Sequence, residues 1–294
     1  MVVDTQLVTI GIPMFNAETT IDVAIRSVLA QTYSNWQLLL VDDGSSDRTE
    51  EIARSFSDPR IFVSVDGQHK GLAARLNQIT DWSDGPFVAR MDSDDIMAPN
   101  RIMVQASTLG NDPSLDLVSS SAAVFTSDYS AIGLRTPHAS FNSPTRLLKH
   151  SPIIHPTVMG TRRWFVSNRY NESLARNEDK ELWFRTRHLI QHRHIPQVLY
   201  YYREEPELDV EKYLFSVREE HMIARCLARA ELSKMDQAKI EAWFLVKHMV
   251  TRSAVTLGRT TWIVTRRNEF IANDLITQFN ADLRTILAPL EALQ

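Results

Sequence analysis

The sequence predicts an α/β protein whose sheet is mostly parallel, followed by an α-helical C-terminal extension. Through the first 95 residues, short apolar runs alternate with segments of helical periodicity. That alternation is typical of parallel strands joined by crossover helices. After residue 203 almost only helical periodicity remains. We therefore expect a sheet-containing domain over residues 1–203 and a helical extension over residues 204–294.

Four apolar runs are expected to form the first strands. They cover residues 7–12, 36–41, 61–65 and 86–91. Each run is short and nearly continuous, which suits a strand that is buried on both faces. Helices are expected between them, over residues 20–31, 47–56 and 71–80. The second helix begins with Asp47 and Glu50 at the spacing of a capping box.

The pattern is less regular after Asp95. Helices are expected over residues 99–109 and 178–191, and strands over residues 115–125 and 195–202. In the extension, Phe215, Met222 and Leu227 can share one broad helix face. The change of pattern near residue 203 marks a change of architecture.

Composition excludes several classes of protein. The 294 residues include 32 basic and 36 acidic side chains, and this formal net charge of -4 gives no overall attraction for nucleic acid. The single cysteine, Cys226, cannot form an internal disulfide, which fits a reducing compartment. No stretch approaches the ~20 apolar residues that cross a bilayer. We expect a cytoplasmic protein that does not span the membrane.

Two clusters of acids follow predicted strands. Asp42 and Asp43 come directly after the second run, and a DSDD segment from Asp92 to Asp95 comes directly after the fourth. Ligands of open α/β sheets bind beyond the carboxyl ends of the strands. Carboxylate oxygens suit a hard divalent cation, although acids at strand ends also serve as turn formers and helix caps. Arg90 precedes the second cluster and could pair with it or point across the sheet.

Other nucleotide and phosphate sites need residues that are absent from this sequence. The first strand is followed by PMFNAETT, which lacks the glycines of a dinucleotide-binding loop, and there is no GK[ST] of a P-loop. Haloacid dehalogenase phosphatases carry an Asp-x-Asp at their first strand, whereas here it follows the fourth. A sugar-nucleotide pyrophosphorylase would need a Gly-rich, basic N-terminal loop, which is also missing.

Ordered blocks of sequence resemble the family-two glycosyltransferases, which have the GT-A fold. The blocks are IPMFN from Ile12, SVLAQTY from Ser27, VDDGSSD from Val41, GLA from Gly71, ARMDSDD from Ala89 and the pair Glu178-Asp179. Two later blocks, HPTVM from His155 and LWFR from Leu182, are similar to the bacterial branch that builds exopolysaccharide, capsule and O-antigen. The resemblance covers residues 7 to about 203 and excludes the extension.

The resemblance implies transfer of a sugar, with inversion, from a nucleotide donor that is usually UDP-linked. It assigns Asp94 as the first metal ligand for Mg²⁺ or Mn²⁺, and Asp92 to the donor ribose or the metal. It also implies a donor nucleotide site, with Asp43 and Asp42 at the uracil. The other expected members of that site are Pro13, Phe15, Asn16, Arg75 and Ser93. For Phe15, core packing is an equal alternative to stacking.

The resemblance also implies a catalytic base. Asp179 matches the carboxylate that takes the proton of the acceptor hydroxyl, and Glu178 would orient it or contact the acceptor. The alternative is that both acids simply favour the first turn of a helix. His155 is expected near the donor phosphates or the acceptor. Trp183 lies on the same helix face as Asp179 and could stack against an acceptor sugar or pack in the core.

The extension carries a possible membrane-binding feature. Arg252, Arg259 and Arg266 are spaced by seven residues, which on a continuous helix forms one basic stripe beside Trp262. Acceptors in the bacterial branch are often linked to a lipid diphosphate, so the predicted acceptor is a saccharide or lipid-linked saccharide. A non-catalytic sugar-nucleotide-binding protein and a sugar nucleotidyltransferase of the same fold are the alternatives.

Overall fold

The structure is a computed structural model that describes residues 6–137, 140–205 and 207–289. The first residue of the expected N-terminal domain, residue 1, and the last residue of the expected extension, residue 294, lie outside these described ranges. The strands are β1 (Val8–Met14), β2 (Trp36–Asp42), β3 (Ile61–Ser64), β4 (Phe87–Arg90), β5 (Ile96–Met97), β6 (Leu117–Phe125), β7 (Ala131–Arg135), β8 (Met159–Thr161) and β9 (His192–Arg203). These strands form one sheet in the order β3-β2-β1-β4-β8-β6-β9-β5, with β7 paired to β6.

The helices follow the same chain order. They are α1 (Ile21–Leu29), α2 (Thr49–Arg54), α3 (Leu72–Trp82), α4 (Arg101–Asn111), α5 (Pro144–Leu147), α6 (Arg162–Ser167), α7 (Glu178–Thr186), α8 (Val210–Glu231), α9 (Lys234–Thr256), α10 (Thr260–Thr265) and α11 (Asn273–Ile286). The expected α/β class with C-terminal helices is confirmed.

The four strands β1 to β4 are parallel and set the position of the site. Met14 at the end of β1 pairs with Asp42 at the end of β2, and Gly11 pairs with Arg90 at the end of β4. The carboxyl ends of these strands therefore meet at one edge of the sheet, as a parallel arrangement requires. Every residue of β2 is buried, which explains its continuous apolar sequence.

Two expected helix limits are wrong. The helix predicted over residues 47–56 begins at Thr49, and no side chain caps it. Asp47 does not form the capping box, because its carboxylate accepts hydrogen bonds from the backbone N–H groups of Glu18 (3.0 Å) and Thr49 (3.0 Å). The helix predicted to reach residue 191 ends at Thr186, before the start of β9.

The C-terminal helices pack against the sheet-containing part of the chain. On α11, Phe279 and Ile286 join an apolar cluster that includes Phe125 of β6 and Tyr201 of β9. Helices α8 and α9 pack against α5 and α7 in a second cluster centred on Phe244. None of the described helices is both long enough and apolar enough to span a membrane.

The basic stripe expected in the extension does not lie on one helix. Helix α9 ends at Thr256, and Gly258 follows with a φ of 66°, a left-handed conformation that favours glycine and stops the helix. Arg252 is therefore on α9, Arg259 is in the connection, and Arg266 follows α10. The continuous-helix part of that prediction is wrong.

Candidate active site

A cavity of about 590 Å³ opens beyond the carboxyl ends of β1, β2 and β4, and we call it the strand-end cavity. Eight of the residues predicted from the sequence line it: Pro13, Phe15, Asn16, Asp43, Arg75, Asp92, Ser93 and Asp94. They come from four separate segments of the chain. The parallel strands bring these segments together.

Asp43 is fixed at one side of this cavity by several hydrogen bonds. Arg75 Nε donates to Asp43 Oδ1 at 2.9 Å, and the backbone N–H groups of Lys70 and Gly71 donate at 2.7 and 3.1 Å. Arg75 is itself buried and also donates to Asp66 Oδ1 at 2.7 Å. Its N–H groups are thus used within the protein. Arg75 positions the Asp43 carboxylate, which is a different role from direct contact with a nucleotide.

An exposed aromatic pair forms another wall of the strand-end cavity. Phe15 is 49% exposed, and its ring lies 4.7 Å from the His69 ring, centroid to centroid. Asn16 adopts a left-handed conformation with a φ of 49°, and its Oδ1 accepts a hydrogen bond from the Ser46 backbone N–H at 2.9 Å. The arrangement supports stacking of Phe15 on a planar ring over core packing.

Two predicted site residues lie elsewhere. The Asp42 carboxylate accepts hydrogen bonds from the backbone N–H groups of Gly44 and Ser45, both at 2.9 Å, and so forms the turn after β2. Trp183 is 1% exposed and stacks against Trp164 with ring centroids 6.1 Å apart. The expectation that Trp183 stacks on an acceptor sugar is corrected, because its ring is enclosed by the core.

The second acid cluster is crowded. Carboxylate oxygens of Asp92, Asp94 and Asp95 lie within 4.8 Å of one another. Asp95 is buried and accepts hydrogen bonds from the Tyr200 hydroxyl at 2.9 Å and from the Arg203 N–H at 2.7 Å. Burial within the cavity, together with the charge of Asp92, raises the pKa of Asp94 to about 6. The negative charge of this cluster is therefore only partly compensated.

These acids fit a hard divalent cation. The Asp94 side chain is exposed to the cavity, and no other residue in the described ranges donates a hydrogen bond to its carboxylate. Asp92 is less free, because its Oδ1 accepts from Arg90 Nη2 at 2.7 Å. Clustered carboxylates with an open face are the donor set that Mg²⁺ and Mn²⁺ prefer. Asp94 and Asp92 are the residues that could hold the ion.

Arg90 links this cluster to a second pair of acids. It is buried, and among the described residues its Nε and Nη1 have no hydrogen-bond partner. Its positive charge lowers the pKa of both Glu178 and Asp179, opposing the larger effect of burial on each. Buried donors without partners are costly. Arg90 is therefore equipped to receive an anionic group between the two sets of carboxylates.

Glu178 and Asp179 begin α7, after Asn177 in a left-handed conformation with a φ of 60°. Burial and the adjacent Asp179 raise the pKa of Glu178 to about 7, and burial raises the pKa of Asp179. His155 Nδ1 lies 3.7 Å from Glu178 Oε1, and burial lowers the pKa of His155 well below its usual range. His155 is therefore neutral and brings no positive charge to the two acids.

Asp179 and His155 line a second cavity of about 610 Å³, which we call the basic cavity. It lies between the sheet and the C-terminal helices, and Tyr202 and Trp243 contribute to its walls. A carboxylate with a raised pKa is a stronger base than an exposed one. Asp179 is therefore suited to accept a proton from a hydroxyl group that enters this cavity.

Sequence reasoning missed two basic residues that line the strand-end cavity, Arg203 and His69. Arg203 follows the predicted strand over residues 195–202, and its Nε donates to the Asp94 carbonyl at 2.7 Å. The rule that placed the acids at strand ends would also have found Arg203. His69 has Nδ1 3.0 Å from Asp43 Oδ2 and lies against Phe15. The sequence carries no comparable signal for His69, because it lies in a loop.

Comparison with known proteins identifies relatives in sequence. The profile of the family described as Glycosyl transferase family 2 matches residues 9–190. WfgD of Escherichia coli is a UDP-Glc:alpha-D-GlcNAc-diphosphoundecaprenol beta-1,3-glucosyltransferase. It is 34% identical over 185 residues, which cover 61% of this chain and 69% of WfgD.

Solved structures share the fold. TarS 1-349 of S. aureus in complex with UDP-GlcNAc has a TM-score of 0.57 at 17% identity, covering 98% of this chain and 81% of that one. The chain spans 43% of a longer TarS structure. The mannosyltransferase PcManGT from Pyrobaculum calidifontis, in complex with GDP-Man and Mn2+, has a TM-score of 0.51 at 16% identity, covering 97% of this chain and 88% of that one.

The segment that the family profile matches contains most of the residues that line the strand-end cavity. Residues 9–190 include the ends of β1, β2 and β4, the acid cluster and the start of α7. More than half of the chain is matched, and the fold is shared with solved GT-A structures. The chain therefore belongs to glycosyl transferase family 2 and is a glycosyltransferase with the GT-A fold.

Proposed function

We propose that this glycosyltransferase is metal-dependent and inverting, and that it moves a sugar from a UDP-sugar to a lipid-linked saccharide during synthesis of a bacterial surface polysaccharide. Residues 1–203 would carry out the transfer, and the helical extension over residues 204–294 would dock the acceptor and the membrane. The choice of donor is supported by WfgD, whose name specifies UDP-Glc, and by TarS, which was solved with UDP-GlcNAc.

One observation carries the proposal: Arg90 lies between two separate sets of carboxylates, each of which faces its own cavity. Asp92 and Asp94 line the strand-end cavity, and Asp179 lines the basic cavity. A donor bound at the first and an acceptor bound at the second would meet near Arg90. Transfer between two substrates requires this kind of two-sided arrangement, because the reacting groups must be held together.

The proposed reaction balances without a further reactant. The acceptor oxygen forms a bond to the anomeric carbon of the donor sugar, and the bond from that carbon to the phosphate oxygen breaks. The acceptor proton passes to the Asp179 carboxylate, and the electron pair of the broken bond leaves with UDP. Attack opposite to the leaving group inverts the anomeric carbon. Asp94 and Asp92 would hold a divalent cation, which supplies positive charge for the leaving diphosphate.

The donor preference is tested by a thermal-shift screen. We expect UDP-sugars with Mn²⁺ to raise the melting temperature more than GDP-, CMP- or dTDP-sugars do, because Phe15 and Asp43, which line the strand-end cavity, would contact a uracil base. A ligand at a hundred times its dissociation constant stabilises a protein by about 2.7 kcal/mol, which such a screen resolves. Equal stabilisation by all four nucleotides would contradict the assignment. Release of pyrophosphate in place of UDP would indicate a nucleotidyltransferase.

Peripheral membrane contact is part of the proposal. Apolar side chains on and beside α9 and α10 are exposed, among them Leu257 at 68% and Trp262 at 47%. Arg252 and Arg259 are exposed on the same part of the extension. Apolar side chains flanked by arginines suit the interface of an anionic bilayer. This surface supports a location at the inner face of the cytoplasmic membrane, where a lipid-linked acceptor would be found.

Liposome sedimentation tests this contact. The parent protein should sediment with anionic liposomes at low salt, and the binding should weaken as salt rises. The double variant Arg252→Gln/Arg259→Gln should bind several-fold less, since each basic side chain near the surface contributes ~1 kcal/mol. The matched control is Arg48→Gln/Arg54→Gln, which removes the same charge beside α2. If the parent protein does not sediment with anionic liposomes at low salt, the proposed membrane contact is excluded.

A further inference from the structure

The basic cavity is built jointly by the catalytic part of the chain and by the C-terminal helices. Lys149, His155 and Asp179 line it from one side. Glu220 of α8 and Lys247 of α9 line it from the other, with two arginines after α10. The second group lies beyond residue 190, where the match to the family profile ends. This cavity is therefore a feature of this chain that the family assignment does not explain.

The charge of this cavity differs from that of the whole protein. Among the described residues, six cationic side chains line it: Arg135, Lys149, Lys180, Lys247, Arg266 and Arg267. Two carboxylates of the same described part of the chain line it, Asp179 and Glu220. The chain as a whole has a net charge of -4, so this excess of positive charge is concentrated locally. Like charges gathered in a cavity with low-dielectric walls attract an anionic ligand.

Internal ion pairs account for only part of the positive charge. Glu220 is held by two lysines, with Lys180 Nζ at 2.6 Å from Oε1 and Lys247 bound to Oε2. Arg135 and Arg267 both pair with Glu204. In each case one carboxylate faces two cations. Each set of three side chains therefore keeps a net positive charge.

Two further cations, Lys149 and Arg266, form no ion pair with a residue in the described part of the chain. The Arg266 guanidinium lies over the Trp262 ring, 4.9 Å from its centroid, which orients it without neutralising it. The nearby carboxylate of Asp236 is paired with Lys239, whose Nζ lies 2.9 Å from Asp236 Oδ1, and it forms no ion pair with Lys149. Lys149 follows α5 and Arg266 follows α10, so these cations come from separate segments of the chain, and both remain available to a ligand.

The position of Asp179 connects this charge to the reaction. A hydroxyl group that reaches Asp179 belongs to a molecule whose remainder occupies the basic cavity. Aromatic side chains of Tyr202, Tyr213 and Trp243 also line the walls, and such rings pack against the apolar faces of sugars. A neutral saccharide would use the rings and leave the cations without partners. A saccharide that carries several negative charges would use both.

We propose that the basic cavity binds the acceptor as an anionic saccharide, with Lys149 and Arg266 holding a diphosphate ester attached to the sugar. The inference rests on the proposed function in one respect, namely that Asp179 accepts the proton of the acceptor. A diphosphate fits better than a single carboxylate, because its charge is spread over several oxygens that separate cations can contact at once. The C-terminal helices then supply acceptor specificity to a catalytic domain that is shared by the family.

Binding of two acceptor analogues tests the proposal without relying on turnover. One is N-acetylglucosamine diphosphate esterified to a short alkyl chain, and the other is the same sugar as a neutral glycoside of that chain. Calorimetry is done with saturating UDP, which blocks the nucleotide site. We expect the parent to bind the diphosphate at least ~10-fold more tightly, because this analogue alone can accept charge-assisted hydrogen bonds from Lys149 and Arg266. Lys149→Gln and Arg266→Gln should each reduce that preference by a similar factor.

Control variants distinguish an acceptor subsite from a donor subsite and from a general effect of charge. Arg218→Gln removes an exposed arginine of α8 that does not line the cavity, and it should keep the full preference. Lys149→Arg should retain most of it. Equal affinity of the parent for both analogues would overturn the inference, and so would a loss of UDP affinity in Lys149→Gln and Arg266→Gln, which would assign these cations to the donor.

Transfer assays with the same analogues distinguish failure of the proposed diphosphate subsite from failure of the proposed function. If the parent transfers a sugar from a UDP-sugar equally well to both analogues, the proposed function stands and the diphosphate subsite is wrong. If the parent binds the diphosphate analogue selectively and the two variants lose that selectivity, the subsite stands even where no transfer from any UDP-sugar occurs. In that second case the proposed function is the part that fails.

Discussion

Asp94→Ala should abolish the Mn²⁺-dependent part of UDP binding while the protein without ligand remains folded. The Asp94 carboxylate is exposed to the strand-end cavity and is crowded by Asp92 and Asp95. Burial and the charge of Asp92 raise its pKa to about 6. A raised pKa means that the folded state favours the protonated acid, so the ionised form at neutral pH is a cost to stability. Removing it should leave the melting temperature equal or slightly higher.

The measurement is a set of four melting curves for each protein, with and without UDP and with and without Mn²⁺. In the parent, UDP and Mn²⁺ together should stabilise more than the two separate shifts combined. In Asp94→Ala that extra stabilisation should disappear. Asp274→Ala, which removes an exposed acid at the start of α11, should behave like the parent. A variant that binds UDP and Mn²⁺ as tightly as the parent would show that Asp94 is not a metal ligand.

The parallel half of the fold could be predicted because its strands are buried on both faces. The apolar run over residues 36–41 corresponds closely to β2 (Trp36–Asp42), in which each side chain is buried. Parallel strands place their carboxyl ends at one edge, so acids that follow them must converge. Asp43 and Asp92 are 49 residues apart in sequence and line the same cavity for this reason.

Contacts between distant segments could not be predicted. The sequence around Asp42 and Asp43 does not indicate which carboxylate faces the cavity, because this depends on the turn that Gly44 and Ser45 form with Asp42. The burial of Trp183 follows from packing against Trp164, which lies on α6. A periodic pattern reports which face of a helix is apolar, but it does not report what covers that face.

The basic cavity was beyond sequence reasoning for a related reason. Its cations come from β7, from the segment after α5, and from α7, α9 and the end of α10. Arg266 in the sequence suggests a stripe with Arg252 and Arg259. The break at Gly258 turns Arg266 away from that series, and it lines the cavity instead. Left-handed glycines that end helices are hard to locate within a long helical pattern.

Asp179→Asn should separate substrate binding from chemistry. The substitution keeps the size and the hydrogen-bonding capacity of the side chain, but an amide cannot take up a proton at neutral pH. UDP affinity should hardly change, because Asp179 lines the basic cavity, whereas the residues proposed to bind UDP line the strand-end cavity. The single-turnover rate of transfer should fall by ~10²–10⁴-fold, the usual contribution of a general base. Asp94→Ala should differ by losing both binding and transfer.

Glu178→Gln is the matched control, and the pH dependence of the rate makes it decisive. A base acts in its deprotonated form, so the rate should rise with pH. On the acid side, the rate should begin to fall at a pH above the ordinary carboxylate range. The reason is that burial raises the pKa of Asp179, and burial together with the adjacent Asp179 raises the pKa of Glu178 to about 7. Glu178→Gln removes one of two neighbouring negative charges, so this fall on the acid side should move to lower pH while the maximal rate falls less than in Asp179→Asn. A larger loss in Glu178→Gln would move the base to Glu178. If both variants transfer at rates near that of the parent, Glu178 and Asp179 have no role in catalysis and serve only as the first residues of α7.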